Sequence, residues 1–107
     1  MKTKYVIVFF TCISFKEAEK IVMRLLDDRL IACANINTGI RSYFWWKGKI
    51  DKANEVQVTV KSRRSKFAMI KNRIKAMHSY EVPEIIAVDI SLGERYYLKW
   101  IDESILL

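Results

Sequence analysis

Valine, isoleucine and aromatic residues fill positions 5 to 10 almost without interruption. A short run of β-branched and aromatic side chains reads as a central strand buried on both faces. The period then changes. Ala18, Ile21, Val22, Leu25 and Leu26 recur at helical spacing, the apolar stripe of an amphipathic helix. Ahead of them, Ser14-Phe15-Lys16-Glu17 has the form of a capping box, in which Ser14 accepts from the Glu17 amide and Glu17 reaches back. The helix is expected to run to about Arg29.

Ile31 to Ile36 suits a second strand, broken near Thr38-Gly39 and resumed from Ile40 to Trp46. After Lys47-Gly48 the chain returns through Ile50. Val56, Val58 and Val60 then alternate cleanly with Glu55, Gln57, Thr59 and Lys61. Two such runs joined through a glycine turn predict a long hairpin. A second helix is expected from about Ser65, with Phe67, Ile70, Ile74 and Met77 facing inward. It ends between Tyr80 and Pro83, because the residue before proline avoids helical dihedrals. Glu84 to Ile90 reads as a fourth strand. Past Gly93 a last helix carries Tyr97, Trp100, Ile101 and Ile105 on its apolar stripe.

The resulting fold class is α+β, a ferredoxin-like β-α-β-β-α-β order with a C-terminal helix and a long β2–β3 hairpin. Both main helices cover one face of the sheet, and no remaining element is large enough to cover the other. Tyr43-Phe44-Trp45-Trp46 sharpens this point. Side chains on a strand alternate between faces, so one aromatic pair faces water near the hairpin tip whichever face is buried. Large exposed apolar patches mark interaction surfaces, and Tyr and Trp are favoured interface anchors. The chain is therefore expected to self-associate. A hairpin folded back on its own sheet and base stacking on the aromatics are the alternatives.

Composition adds boundaries. A chain of 107 residues with 51% apolar content fits one domain, 1–107, with a true core. No apolar run approaches the ~20 residues of a membrane span. The opening run is too short, and lacks the cleavage site, for a signal peptide, so the expected address is the cytoplasm. Cys12 and Cys33 form no C-x-x-C pair and read as buried free thiols. The net charge of +7 suits either a solvated basic face or an anionic partner. No phosphate loop, nucleophile elbow or His/carboxylate constellation is present, so no enzymatic activity is expected.

Four blocks carry a family resemblance. They are Leu30 to Ile36, Ser42 to Ile50, Glu55 with Lys61, and His78-Ser79-Tyr80-Glu81-Val82-Pro83-Glu84-Ile85. In order and spacing they resemble the CutA divalent-ion tolerance proteins, over Tyr5 to about Trp100. The resemblance implies a tight homotrimer with hairpins pairing between neighbours, tolerance of divalent metals (copper above all), and structural kinship with PII-type signalling proteins. It places Tyr43, Trp45, Trp46, Glu55, Lys61, Tyr80 and Glu84 in an intersubunit cleft or trimer interface. The chain departs from the family pattern at Ser79, where a proline is usual, at Phe44, where a tyrosine is usual, at Ser62 in place of threonine, and at Asp89.

The resemblance also makes His78 the candidate metal ligand, with Cu²⁺ or another divalent cation bound weakly and none obligatory. One histidine and two cysteines are few for copper or zinc. A complete site within one subunit is accordingly not expected; ligands shared between subunits, with Glu84, Glu81 or Tyr80 adding oxygens, are the alternative. As a residue at a helix end, His78 can equally interact with the last carbonyls. Two other functions stay open. A nucleic-acid-binding module shares this element order, but the segment from Asn54 to Lys61 lacks the basic-Gly-aromatic pattern such modules carry. The other is a structural trimeric scaffold.

Overall fold

The computed structural model describes residues 4–105, so positions 1–3 and 106–107 of the expected unit lie outside the described residues. Strand β1 (Tyr5–Cys12) is not buried equally on both faces as expected: Val6, Val8, Phe10 and Cys12 are buried, while Tyr5, Ile7 and Phe9 are half-buried. Helix α1 (Phe15–Asp27) lays Ala18, Ile21, Val22 and Leu25 against that buried row. It ends where Arg29 takes a positive φ of 57°. The Leu30 amide then reaches the Leu25 carbonyl and the Arg29 amide reaches Leu26, a Schellman stop with arginine in the usual glycine position.

Strand β2 (Cys33–Trp46) and strand β3 (Lys49–Arg63) form the hairpin. The expected break near Thr38-Gly39 is a correction: β2 runs on, and the irregularity is a register shift between Asn37 and Ile40. A bulge of this kind lets a strand absorb an extra residue and bend without ending; Gly39, at φ 79°, supplies the left-handed backbone. At the tip, Lys47 and Gly48 both have positive φ, 52° and 78°. That is the signature of a two-residue type I′ turn, whose twist suits the flanking strands.

After a short 3₁₀ turn (Arg64–Lys66), helix α2 (Phe67–Met77) buries Ile70 and Ile74 beside α1. The two helices are also joined by Asp28, which accepts from Arg24 at 2.8 Å and from Arg73 at 2.9 Å. Strand β4 (Ile85–Asp89) and helix α3 (Arg95–Ser104) complete the set. Glu94 caps α3 by accepting from the Tyr97 amide at 2.8 Å.

All pairings in the sheet are antiparallel, in the order β2-β3-β1-β4. This is the ferredoxin-like arrangement. On its helix side, β1 and Val56, Val58 and Val60 of β3 make one continuous core with α1 and α2. Ser62, also fully buried, donates its hydroxyl to the Leu30 carbonyl at 2.6 Å, so the hydroxyl satisfies an interior acceptor. On the other face, Ile101 of α3 and Ile105 just past its end pack on Ala32 beside Tyr5. Asp102 accepts from Tyr5 at 2.7 Å and pairs with Arg63 at 2.5 Å. The expected lack of cover is thus partly corrected: α3 closes one end of this face, and Ile86 and Val88 of β4 stay exposed.

Two substitutions separate turn from core. Gly48→Val forces a β-branched residue into left-handed backbone and should cost ~1–2 kcal/mol. Ile74→Ala empties a fully buried position and should cost about 2–5 kcal/mol. Urea denaturation followed by tryptophan fluorescence measures both.

Candidate metal centre

The fold brings three chain ends to one place. Strand β1 finishes at Cys12, α1 begins three residues later, and α2 runs back to deliver His78 to the same end of the sheet. Ligand atoms of Cys12, Glu17 and His78 lie within 4.8 Å of one another. Cys12 is fully buried, and so is the His78 side chain.

Both nitrogens of His78 are engaged. Nε2 lies 2.6 Å from the Thr11 carbonyl oxygen, and Nδ1 accepts the Tyr80 amide at 3.0 Å. A carbonyl can only accept, so these partners fix the neutral ring with its proton on Nε2. The expected contact with the last helix carbonyls is therefore corrected. His78 has left the helix, in extended backbone, and ties its end to β1. The Tyr80 ring packs on His78 with centroids 4.8 Å apart, and its hydroxyl donates to Glu55 Oε2 at 2.7 Å. Burial and then the Glu55 carboxylate hold the Tyr80 phenol well above its ordinary range, as a protonated donor.

Glu17 departs from its expected role. Ser14 accepts from the Glu17 amide at 3.1 Å, half of a capping box, but the Glu17 side chain turns inward. Its Oε1 is buried, makes no hydrogen bond, and lies 3.7 Å from His78 Nδ1. A buried carboxylate oxygen without a donor is costly; a cation, or a proton, would satisfy it. Thiol, carboxylate and imidazole together are a donor set suited to copper or zinc, so the residues fit a divalent ion. All three come from one subunit.

The chain matches the model of the "CutA1 divalent ion tolerance protein" family over residues 6–104. The chain belongs to this family. It is 47% identical to the divalent-cation tolerance protein CutA of Archaeoglobus fulgidus over 98 residues, 92% of this chain and 95% of the relative. The structure of the Archaeoglobus protein, described as periplasmic, superposes with a TM-score of 0.91 at 46% identity, covering 94% of this chain and 97% of that one. CutA1 from Oryza sativa superposes at 0.94 with 31% identity, over 98% and 96% of the two chains.

Of the residues singled out from the sequence, the fold unites His78, Tyr80 and Glu55. Lys61 stands apart. Six residues along β3 from Glu55, it is about 20 Å away, opposite Cys33, with its Nζ 5.8 Å from the Tyr97 ring centre. Cys33 is half-buried, not buried as expected, with its sulfur 3.7 Å from the Tyr97 hydroxyl. Glu84 is exposed just ahead of β4. Tyr43 and Trp45 project from the hairpin at 65% and 71% exposure, while Trp46 sits under the Lys47 ammonium, 5.9 Å from the ring centre. Glu17, and the place of Cys12 beside His78, escaped the sequence reading. The topology was the available signal, since β1 and α2 of this fold end on the same side.

Burial pushes the Cys12 thiol up to about 12, reinforced by the negative charge of Glu17, by hydrogen bonding of the thiol with the Glu17 side chain, and then by the charge of Glu55. The folded chain thus keeps a proton that an unfolded thiol loses near its ordinary 9.0. The associated stability is complete below pH 9 and is lost as pH rises toward 12. Denaturant midpoints should fall across that window, and Cys12→Ala should flatten the fall. At pH 8, iodoacetamide should label Cys33 in the native protein and both thiols only in denaturant, as read by mass spectrometry.

Proposed function

We propose that the chain acts as a homotrimeric binding protein that takes up a divalent cation, copper above all, at Cys12, Glu17 and His78. The convergence of those three donors around an unpartnered carboxylate oxygen carries this reading. Thiolate and imidazole favour copper and zinc over calcium or magnesium, and three protein ligands leave a position open. Two features make the binding weak. The Cys12 proton must leave a site that holds it to about pH 12, and the lone pair on His78 Nδ1 is already shared with the Tyr80 amide. Weak capture without an obligatory ion fits tolerance or sensing, in the manner of PII-type proteins, better than catalysis.

Trimer formation is supported by the hairpin. Every residue from Tyr43 to Lys52 is exposed, and β2 offers its outer edge as an unpaired strand of 14 residues. A long exposed edge bearing aromatics calls for a partner strand, and Tyr43, Trp45 and Trp46 are the proposed anchors. Lys61, Glu84 and the Tyr80–Glu55 pair complete the proposed intersubunit surface. The cytoplasm is the proposed location, in keeping with two free thiols and a reducing compartment. Among the described residues, no helix is long and apolar enough to cross a membrane.

A scaffold role without metal is the second reading, favoured by the engagement of both His78 nitrogens. A nucleic-acid interface gains little support, because Arg63, Arg64 and Arg73 are paired with Asp102, Asp89 and Asp28.

Light scattering should give about three times the chain mass of 12.6 kDa; a monomer defeats the assembly. Calorimetry should find Cu²⁺ binding at least about tenfold weaker in His78→Ala and in Cys12→Ser, a loss of ~1.4 kcal/mol or more. Isotherms equal to wild type would leave the scaffold reading in place.

A further inference from the structure

The candidate metal centre lies at the root of the hairpin. The last pairing of β1 is Cys12 with Val56, and the register shift in β2 falls opposite the same stretch, between Gln57 and Glu55. Glu55 is therefore the first residue of β3, counting toward the tip, whose only strand neighbour is β2. It is also buried, and its partner is the Tyr80 hydroxyl. Through Tyr80 the α2–β4 loop thus fastens the point where the four-stranded sheet becomes a two-stranded arm.

The same residue guards the ligand atom. With the ring proton on Nε2 and directed at Thr11, Nδ1 is the nitrogen of His78 that carries a lone pair. It is also the one that faces Glu17. The Tyr80 amide occupies it. A cation coordinated there takes the lone pair from that amide, and one nitrogen lone pair cannot serve both.

We infer that Tyr80 is a latch whose closed position holds the hairpin root and blocks His78 Nδ1, so that cation capture and hairpin fixation oppose each other. This rests on the cation-binding reading of the Cys12, Glu17 and His78 cluster. Because coupling is reciprocal, whatever loosens the Tyr80–Glu55 bond strengthens cation binding, and whatever fixes the hairpin weakens it. Tyr80 is a positioning residue in this scheme, not a ligand.

Zn²⁺ alone is the suitable probe, since it does not oxidise Cys12. Tyr80→Phe keeps the ring and removes the hydroxyl. It should bind Zn²⁺ about fivefold tighter or more, where a merely damaged site would bind it less well. In the wild type, Zn²⁺ should speed amide hydrogen exchange at residues 54–57, and in Tyr80→Phe exchange there should already be fast without it. A wild type that binds no Zn²⁺ ends the latch, and one that binds no Cu²⁺ either ends the cation reading with it. A wild type that binds Zn²⁺, with unchanged affinity in Tyr80→Phe and unchanged exchange, ends the latch alone. In a Glu55→Gln background, where the bond is already weakened, the further gain from Tyr80→Phe should shrink. A full gain there would mean that the hydroxyl acts on the site by another route, and would overturn the latch.

Discussion

Strand β1 is shorter than the strand beside it, and most of the molecule's architecture follows from that mismatch. β3 has 15 residues against eight in β1. Past Val56 the backbone of β3 has a partner on one side only. Backbone donors and acceptors must be paired or hydrated, so that segment can exist only as an exposed arm, zipped to β2 and closed by the Lys47-Gly48 turn. The same early stop places the buried Cys12 at a chain corner, where α1 starts and α2 returns. Arm and polar cluster are two results of one strand length.

The core beneath the helices explains why this corner is stable enough to hold buried polar groups. Val8, Phe10, Val58, Val60, Ile21, Leu25, Ile70 and Ile74 are each fully excluded from water, and every fully buried aliphatic or aromatic side chain contributes roughly 1.5–3 kcal/mol. That apolar ground also raises the electrostatic stakes at its rim. Burial there disfavours a thiolate, and the nearby Glu17 charge adds to it, which is why the Cys12 proton is held so firmly; a carboxylate oxygen left without a hydrogen bond at that rim is correspondingly costly.

The sequence made the regular parts legible for a plain reason: their periodicity is the physics that folds them. The valine alternation of β3 and the 18-21-22-25 stripe of α1 could satisfy only one face each. The bulge in β2 was not legible, because Thr38-Gly39 has the composition of a loop whether the chain stops or merely bends. Glu17 shows a different kind of ambiguity. Its backbone and its side chain serve separate purposes, the amide bonding to the Ser14 cap of α1 while the carboxylate turns in toward His78, and local sequence reports only the first. His78 was found through the family pattern, but its bond to Thr11 spans 67 positions and belongs to tertiary structure. Cys12 read only as a buried free thiol. The convergence of β1 and α2 is what puts its sulfur within 4.8 Å of the imidazole.

The shared carboxylate of Asp102 bears on the order in which the chain can fold. Its bond to Tyr5 closes a loop of 97 positions, and β1 lies between β3 and β4, both made much later in the chain. The central strand is thus the first synthesised and among the last to have both edges filled. Long loops close at an entropic cost that grows only slowly with length, but contacts far apart in sequence slow the search. A nascent chain must carry the apolar stretch from Tyr5 to Phe10 without its partners until the second half emerges, so α1, formed locally behind its serine cap, is the element available to shelter it.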